Sequence, residues 1–302
     1  MKKIFCFIFS LMLLACGGDD KETALTSDVS SEILLEDEII SAKQIKELKN
    51  ASKVVYTLPS PVEMADILKE TEAAYDVYIL NDPDAVDGYV TDLKRAMNLG
   101  VYFTDLSFTS LFDYAQEAMR FMGAAQTMSD ELNIQGVFTE DVMMRIEENM
   151  NDKDSLIDIV GSTYMDTDLY LQDNERPVIA KAILAGAWLE GLYIAVSLKT
   201  DSGQENQIWK KVGEQKPALG NLVRLLEDCK DAQFDSLLID LRSLAKTFEA
   251  VKLDYQSIEV VTDTASKRTN LGGDLNVLID KKTTNQIKSQ IIIAPRLKRC
   301  LD

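Results

Sequence analysis

The stretch from Val178 to Leu198 constrains the fold of this chain more than any other. It is an apolar run broken only by Lys181 and Glu190, and it is crowded with small residues: Ala180, Ala182, Ala185, Gly186, Ala187, Gly191 and Ala195. About 20 apolar residues suffice to span a bilayer as a helix. However, ionised side chains are costly in hydrocarbon, and the neighbouring segments are amphipathic. The stretch therefore reads as a buried central helix. Its small residues let other helices approach closely, and Arg176-Pro177 opens it.

The remaining segments read as helices around that core. Ser41–Lys53 can form one, with Ile45 and Leu48 inward. Ser60-Pro61-Val62-Glu63 combines a cap, a first-turn proline and a glutamate three residues on, which predicts a helix to about Ala74. Asp82-Pro83-Asp84 predicts a second start, with Val86, Tyr89, Val90, Leu93 and Met97 on one face and an interruption at Gly100. Leu111, Ala115, Met119, Met122, Ala125 and Leu132 continue the helical period to near Gly136. Further starts fall at Phe138-Thr139, Asp154 and Pro217. Another helix is marked by Phe234, Leu237, Leu238, Leu241, Leu244, Phe248 and Val251. Ile258 and Val260, then Leu275, Val277 and Ile279, alternate instead, which predicts two strands joined by a loop from Thr262 to Gly273. Thr283 or Thr284 caps a last helix, ended or kinked by Pro295. The expectation is an all-α fold: a single multi-helix domain of about nine or ten helices over residues 41–302, with one small β-hairpin near the C-terminus.

The N-terminus has a separate logic. Met1-Lys2-Lys3 precedes an apolar run from Ile4 to Leu14, then Leu13-Leu14-Ala15-Cys16-Gly17. A basic start, an apolar middle and a small residue before the cut make a secretory signal. The Cys after the small residue makes it resemble a lipoprotein signal, which implies cleavage before Cys16 and lipid on that residue. Residues 1–15 are then the signal peptide. Residues 16–40, acidic with Ser and Thr, are the lipidated Cys and a flexible tether. The Asp19-Asp20 cluster resembles the surface-export signal of Bacteroidota lipoproteins. Gly17 stands where inner-membrane lipoproteins often carry Asp. Together these imply an outer-membrane lipoprotein, facing the periplasm or the cell surface. Three further stretches resemble a group of uncharacterised Bacteroidota outer-membrane lipoproteins: Tyr56–Pro61, Met97–Tyr102 and Ala185–Tyr193. That resemblance implies location and architecture, and it carries no site residues.

Charge and missing residue types bound the chemistry. The chain carries 50 acidic against 32 basic residues, a net charge of −18. Loss of Lys2 and Lys3 with the signal takes the mature chain to about −20. Such acidity disfavours nucleic acid and anionic lipid as partners. Histidine is absent, so neither a Ser-His-Asp triad nor a His-based zinc site can form. No phosphate-binding glycine loop is present. Asp82-x-Asp84-x-x-Asp87-Gly88 departs from a calcium loop in spacing and lacks the closing Glu. No metal and no cofactor is expected.

Glu190 is the chemically most informative residue, lying between Trp188 and Tyr193 in an apolar segment. A charge there must be paired, or its pKa must rise. Two readings stay open. One is an internal salt bridge, to Arg120 or Lys181 for example. The other is a pocket formed by Glu190, Trp188 and Tyr193, with Asp105 a second carboxylate of the same ambiguity. Cys229 and Cys300 could form a disulfide in an export compartment or remain buried thiols. The leading expectation is a non-enzymatic cell-envelope lipoprotein, a binding or scaffolding module with an envelope protein partner. The alternatives are a carboxylate-dependent enzyme acting on glycan and a small-molecule-binding lipoprotein.

Overall fold

The computed structural model describes residues 58–70, 74–112, 114–149, 152–199, 204–255, 259–263, 268–272 and 275–293. The signal peptide, Cys16, the tether, Ser41–Lys53, Ile258, Pro295 and Cys300 lie outside them. The fold is all-α. Ten α-helices occur among the described residues: α1 (Pro61–Lys69), α2 (Asp92–Leu111), α3 (Ala115–Glu131), α4 (Glu140–Glu148), α5 (Lys153–Asp173), α6 (Pro177–Ser197), α7 (Gln204–Glu214), α8 (Lys216–Cys229), α9 (Asp235–Phe248) and α10 (Lys281–Lys288).

Helix α6 is the apolar stretch. It is long and apolar enough to cross a membrane, yet it lies in the protein core, with α1, α2, α5, α7 and α8 packed around it. Its run from Ala182 to Leu192 is buried without a break, Glu190 included. A helix that is apolar on every side belongs in a core of this kind. Its principal partner is α2, itself buried from Ala96 to Leu111.

Two glycines set the distance between these helices. A Cβ on Gly100 would lie 1.9 Å from the Ile183 carbonyl oxygen, and one on Gly186 would lie 1.9 Å from that of Met97. The two backbones touch. Thr104 Oγ1 sits 3.1 Å from the Ala187 oxygen and 3.2 Å from that of Gly100, so its hydroxyl bridges the crossing. Gly100 therefore does not interrupt a helix as expected. Its intrinsic cost of about 1 kcal/mol in a helix is outweighed by the contact it permits.

Several boundaries follow local chemistry that hydrophobic period does not report. Ser60 and Glu63 form the expected capping box, at 3.2 and 2.7 Å. Helix α1 nevertheless stops at Lys69, and Tyr75 turns into an aromatic cluster, stacking on Tyr114 at 4.1 Å and on Phe108 at 5.8 Å. Asp82-Pro83 opens only a 3-10 turn, Pro83–Gly88. Thr91 then caps α2 afresh by accepting from the Lys94 N–H, and Val90, expected inward, is 70% exposed. The chain breaks again at Phe112, before α3. Asp152, not Asp154, caps α5, and Asp280, not a threonine, caps α10 by accepting from Thr283 N–H at 2.7 Å. Helix α7 was not anticipated, although Ser202-Gly203-Gln204-Glu205 has the spacing of a capping box ahead of its short amphipathic pattern around Ile208 and Val212.

The C-terminal β element holds four short strands. β1 (Lys252–Tyr255) pairs antiparallel with β4 (Leu275–Leu278), in register Lys252 to Leu278. β2 (Glu259–Asp263) pairs with β3 (Arg268–Gly272) inside them. Much of the expected loop is thus itself a hairpin.

Candidate functional site

Helix α2 carries a polar stripe in an otherwise apolar setting. Asn98, Tyr102, Asp105 and Thr109 recur at intervals of three and four, hence on one face of the helix. All four are fully buried. Each engages the irregular segment that runs from Tyr75 to Tyr89. Thr109 and Tyr75 share a hydrogen bond of 3.4 Å between their hydroxyls. Asp105 Oδ2 accepts from the Asn81 N–H at 3.1 Å. Tyr102 donates to the Asp82 carbonyl at 2.9 Å. Asn98 Oδ1 accepts from Asn81 Nδ2 at 3.3 Å, and the same amide lies 3.1 Å from the Tyr89 hydroxyl. A segment with little regular hydrogen bonding of its own is thereby satisfied from α2, as buried backbone groups require.

Glu190 reaches this stripe from α6, one helical turn beyond Gly186. It is 4% exposed and Asp105 is 0% exposed. The two carboxyl groups are neighbours, and this shapes their chemistry. Burial is the largest influence on Asp105 and raises its pKa well above the usual carboxylate range; the charge of Glu190 raises it further, against the opposing Asn81 N–H. The arrangement is a buried acid pair in which the protonated form of Asp105 is favoured, the expected outcome when like charges meet out of water. Nearby phenols respond to the same environment. Burial pushes Tyr75 up to about 12 against the Thr109 hydrogen bond, and raises Tyr102, with Tyr89 and Asp105 adding to it.

The two cations expected to pair with Glu190 lie elsewhere. Arg120 engages Asp84 at 2.7 Å on the surface instead. Lys181 lies nine residues away on the same helix, roughly 13 Å along its axis. The four residues expected to share a pocket separate into two groups. Glu190 and Asp105 meet. Trp188 sits about 200° around α6 from Glu190, and its Nε1 donates to Gln215 Oε1 at 3.3 Å. Tyr193 is half-buried against the core. A cavity bounded by that same Gln215, with Met64, Leu192 and Val212, measures about 10 Å³, room for about one water molecule. Cys229 Sγ is 3.6 Å from the Leu225 oxygen; Cys300 lies outside the described residues. Among the described residues, no group of three or more acidic or cysteine side chains could hold a metal ion.

Asn81, Asn98, Tyr75, Tyr89 and Thr109 were not anticipated as members of the network. The spacing of Asn98, Tyr102, Asp105 and Thr109 was legible, but it needed a polar period to be sought inside an apolar helix. Chemically, the network fixes a loop and holds a proton. Both of its carboxyl groups are buried. No family model matches this chain, and neither a curated protein nor a solved structure is significantly similar to it.

Proposed function

We propose that this chain is a non-enzymatic cell-envelope lipoprotein, held at the outer membrane by lipid on Cys16 and acting through its helical body as a binding or scaffolding module. One observation carries the binding reading. The body's most concentrated polar chemistry, at Asp105 and Glu190, is sealed inside and spent on fixing residues 75–89. What meets the surroundings is the surface, which is strongly acidic overall and exposes Tyr78, Tyr114 and Val90 around the segment that the network holds. An anchored helical body with such a surface suits a protein or peptide partner in the envelope.

The test combines anchorage with partnership. Mass spectrometry of the purified protein should find an acylated N-terminal peptide beginning at Cys16. Cys16→Ser should release a folded, soluble body, and crosslinking in intact envelopes should join the wild type reproducibly to one outer-membrane protein. An unacylated, solitary protein would overturn the reading.

A further inference from the structure

The C-terminal stretch of the sequence has a charge opposite to the rest. Residues 264–302 hold eight Lys and Arg against three Asp, a net +5; the chain totals −18, so residues 1–263 carry −23. The structure shows where part of this charge is presented. Helix α10 turns Thr283 and Ile287 inward, followed by Ile291 in the π turn (Ser289–Ile293) that continues it. Its other side is left to Lys281, Lys282, Asn285 and Lys288, all exposed. Beside this face runs an open groove of about 630 Å³ lined by Lys281, Lys282, Asn285, Gln286, Ser289 and Thr247. Lys246 is exposed one residue before Thr247. Among the described residues, none of these four lysines is in an ion pair. Of the acids here, Asp280 is turned to cap α10, Asp235 and Glu249 are exposed, and Asp240 is half-buried on α9.

Two large apolar side chains flank the basic face. Leu278, just ahead of the α10 cap, is 52% exposed, and Ile239 is 57% exposed. Ile239 lies one turn from Ser243, which Gln290 contacts at 3.1 Å. Lysines beside exposed aliphatic side chains form the composition that settles into the headgroup layer of a membrane. A soluble anion would have no use for Ile239 and Leu278. Net charge does not forbid such contact, because screening in salt confines the interaction to about 10 Å. The acidic remainder is repelled by the same surface, which favours approach by this end.

The geometry points to the α9–α10 end as a second membrane contact, one that docks on anionic lipid headgroups and orients the body on the bilayer. This rests on the reading above that the chain is membrane-tethered, since a tether brings the face within reach of a headgroup layer. It refines the expectation that this acidic chain avoids anionic lipid: the bulk of the chain does, and this end does not.

The test uses the full chain with Cys16→Ser, so that binding does not depend on acylation. Its cosedimentation is measured with vesicles of phosphatidylcholine alone and with vesicles containing 30 mol% phosphatidylglycerol. Binding should favour the anionic vesicles and weaken steeply as salt rises. The triple substitution K281E/K282E/K288E should lower it by about tenfold or more, since each lysine at such a surface contributes about fivefold, and its circular dichroism spectrum should stay unchanged. Leu278→Ser should lower binding less. Equal binding to both vesicle types, or binding unaltered in the folded triple variant, would overturn the proposal. Saturable binding of inorganic phosphate at the same lysines, without preference for anionic vesicles, would also overturn it. Failure of acylation in the wild type leaves this result unmoved, so the two readings fail separately.

Discussion

The α2–α6 crossing and the α8–α9 pair solve the same packing problem in different ways. Helices α8 and α9 each have one apolar side: Leu219, Leu222, Leu225 and Leu226 on the first, Leu237, Leu238, Leu241, Leu244 and Phe248 on the second, all buried. Their surfaces interdigitate through side chains. Helices α2 and α6 meet backbone to backbone at Gly100 and Gly186, and the space beside the crossing holds Thr104, Asp105 and Glu190. Side-chain packing adjusts by rotamer changes, whereas backbone contact cannot adjust. The first arrangement tolerates substitution of similar volume; the second excludes even one added methyl group.

The contrast breaks most visibly at Gly186. In Gly186→Ala the new Cβ would stand 1.9 Å from the Met97 oxygen and 2.7 Å from its carbonyl carbon. Neither is the tip of a flexible side chain, so a helix must move and the Thr104 bridge must break. The expected loss is about 4 kcal/mol or more, read as a fall in the urea midpoint or as failure to fold. A midpoint within 1 kcal/mol of wild type would mean that the helices do not touch there.

In the peripheral pair, Leu241 is fully buried. Leu241→Ala should cost about 2–5 kcal/mol through the cavity it leaves, while Leu241→Met should cost less than about 1.5 kcal/mol because volume is retained. Equilibrium unfolding of the two variants checks this. Equal losses would show that this region is as unforgiving as the crossing.

The same contrast decides what the sequence disclosed. An amphipathic helix announces its buried side through period, and the inward residues of α5, α8 and α9 were legible for that reason. Val178–Leu198 was legible as a core helix because it has no polar side at all. Helix boundaries were less legible where a side-chain cap competes with the hydrophobic pattern, as at Thr91, Asp152 and Asp280. Gly100 misled because its local cost is visible in sequence while the Ile183 carbonyl that it admits is distant by more than eighty positions. The acid pair was half legible. Burial of Glu190 and Asp105 followed from their apolar neighbours, but their meeting depends on the α2–α6 register, which no local pattern encodes.

That pair gives the crossing a pH dependence of its own. Unfolded, Asp105 loses its proton near the ordinary value of 3.8; folded, burial and Glu190 raise it well above that. Between the two values the native state binds a proton that the unfolded chain has released. Stability therefore falls as pH rises through this window, by up to about 1.4 kcal/mol per pH unit. Below the unfolded value both states are protonated and the contribution is complete. Asp105→Asn preserves an acceptor for the Asn81 N–H but removes the titration. Wild type and variant should converge at acidic pH, and the variant should gain as pH rises toward neutrality. Asp152 and Asp280 have lowered values, set chiefly by their cap hydrogen bonds, and contribute the opposite slope equally to both proteins. Parallel stability profiles from pH 4 to 8 would show that Asp105 titrates normally in the fold.

The smallest expected effect sharpens the comparison most, because it is the same substitution with the opposite sign. Gly220 lies within α8, and a Cβ added there meets nothing within 4 Å. Glycine inside a helix costs roughly 0.5–1 kcal/mol relative to alanine, through the backbone freedom it loses on folding. With no contact to break, Gly220→Ala should recover about that amount, seen as a slightly raised urea midpoint at unchanged slope. Gly186→Ala offers the same gain in helix propensity and should still lose heavily. The difference between the two variants thus cancels propensity and leaves the contact between backbones. If Gly220→Ala also destabilised strongly, glycine in this protein would serve the helices for some reason other than close approach, and the distinction between the crossing and the periphery would fall with it.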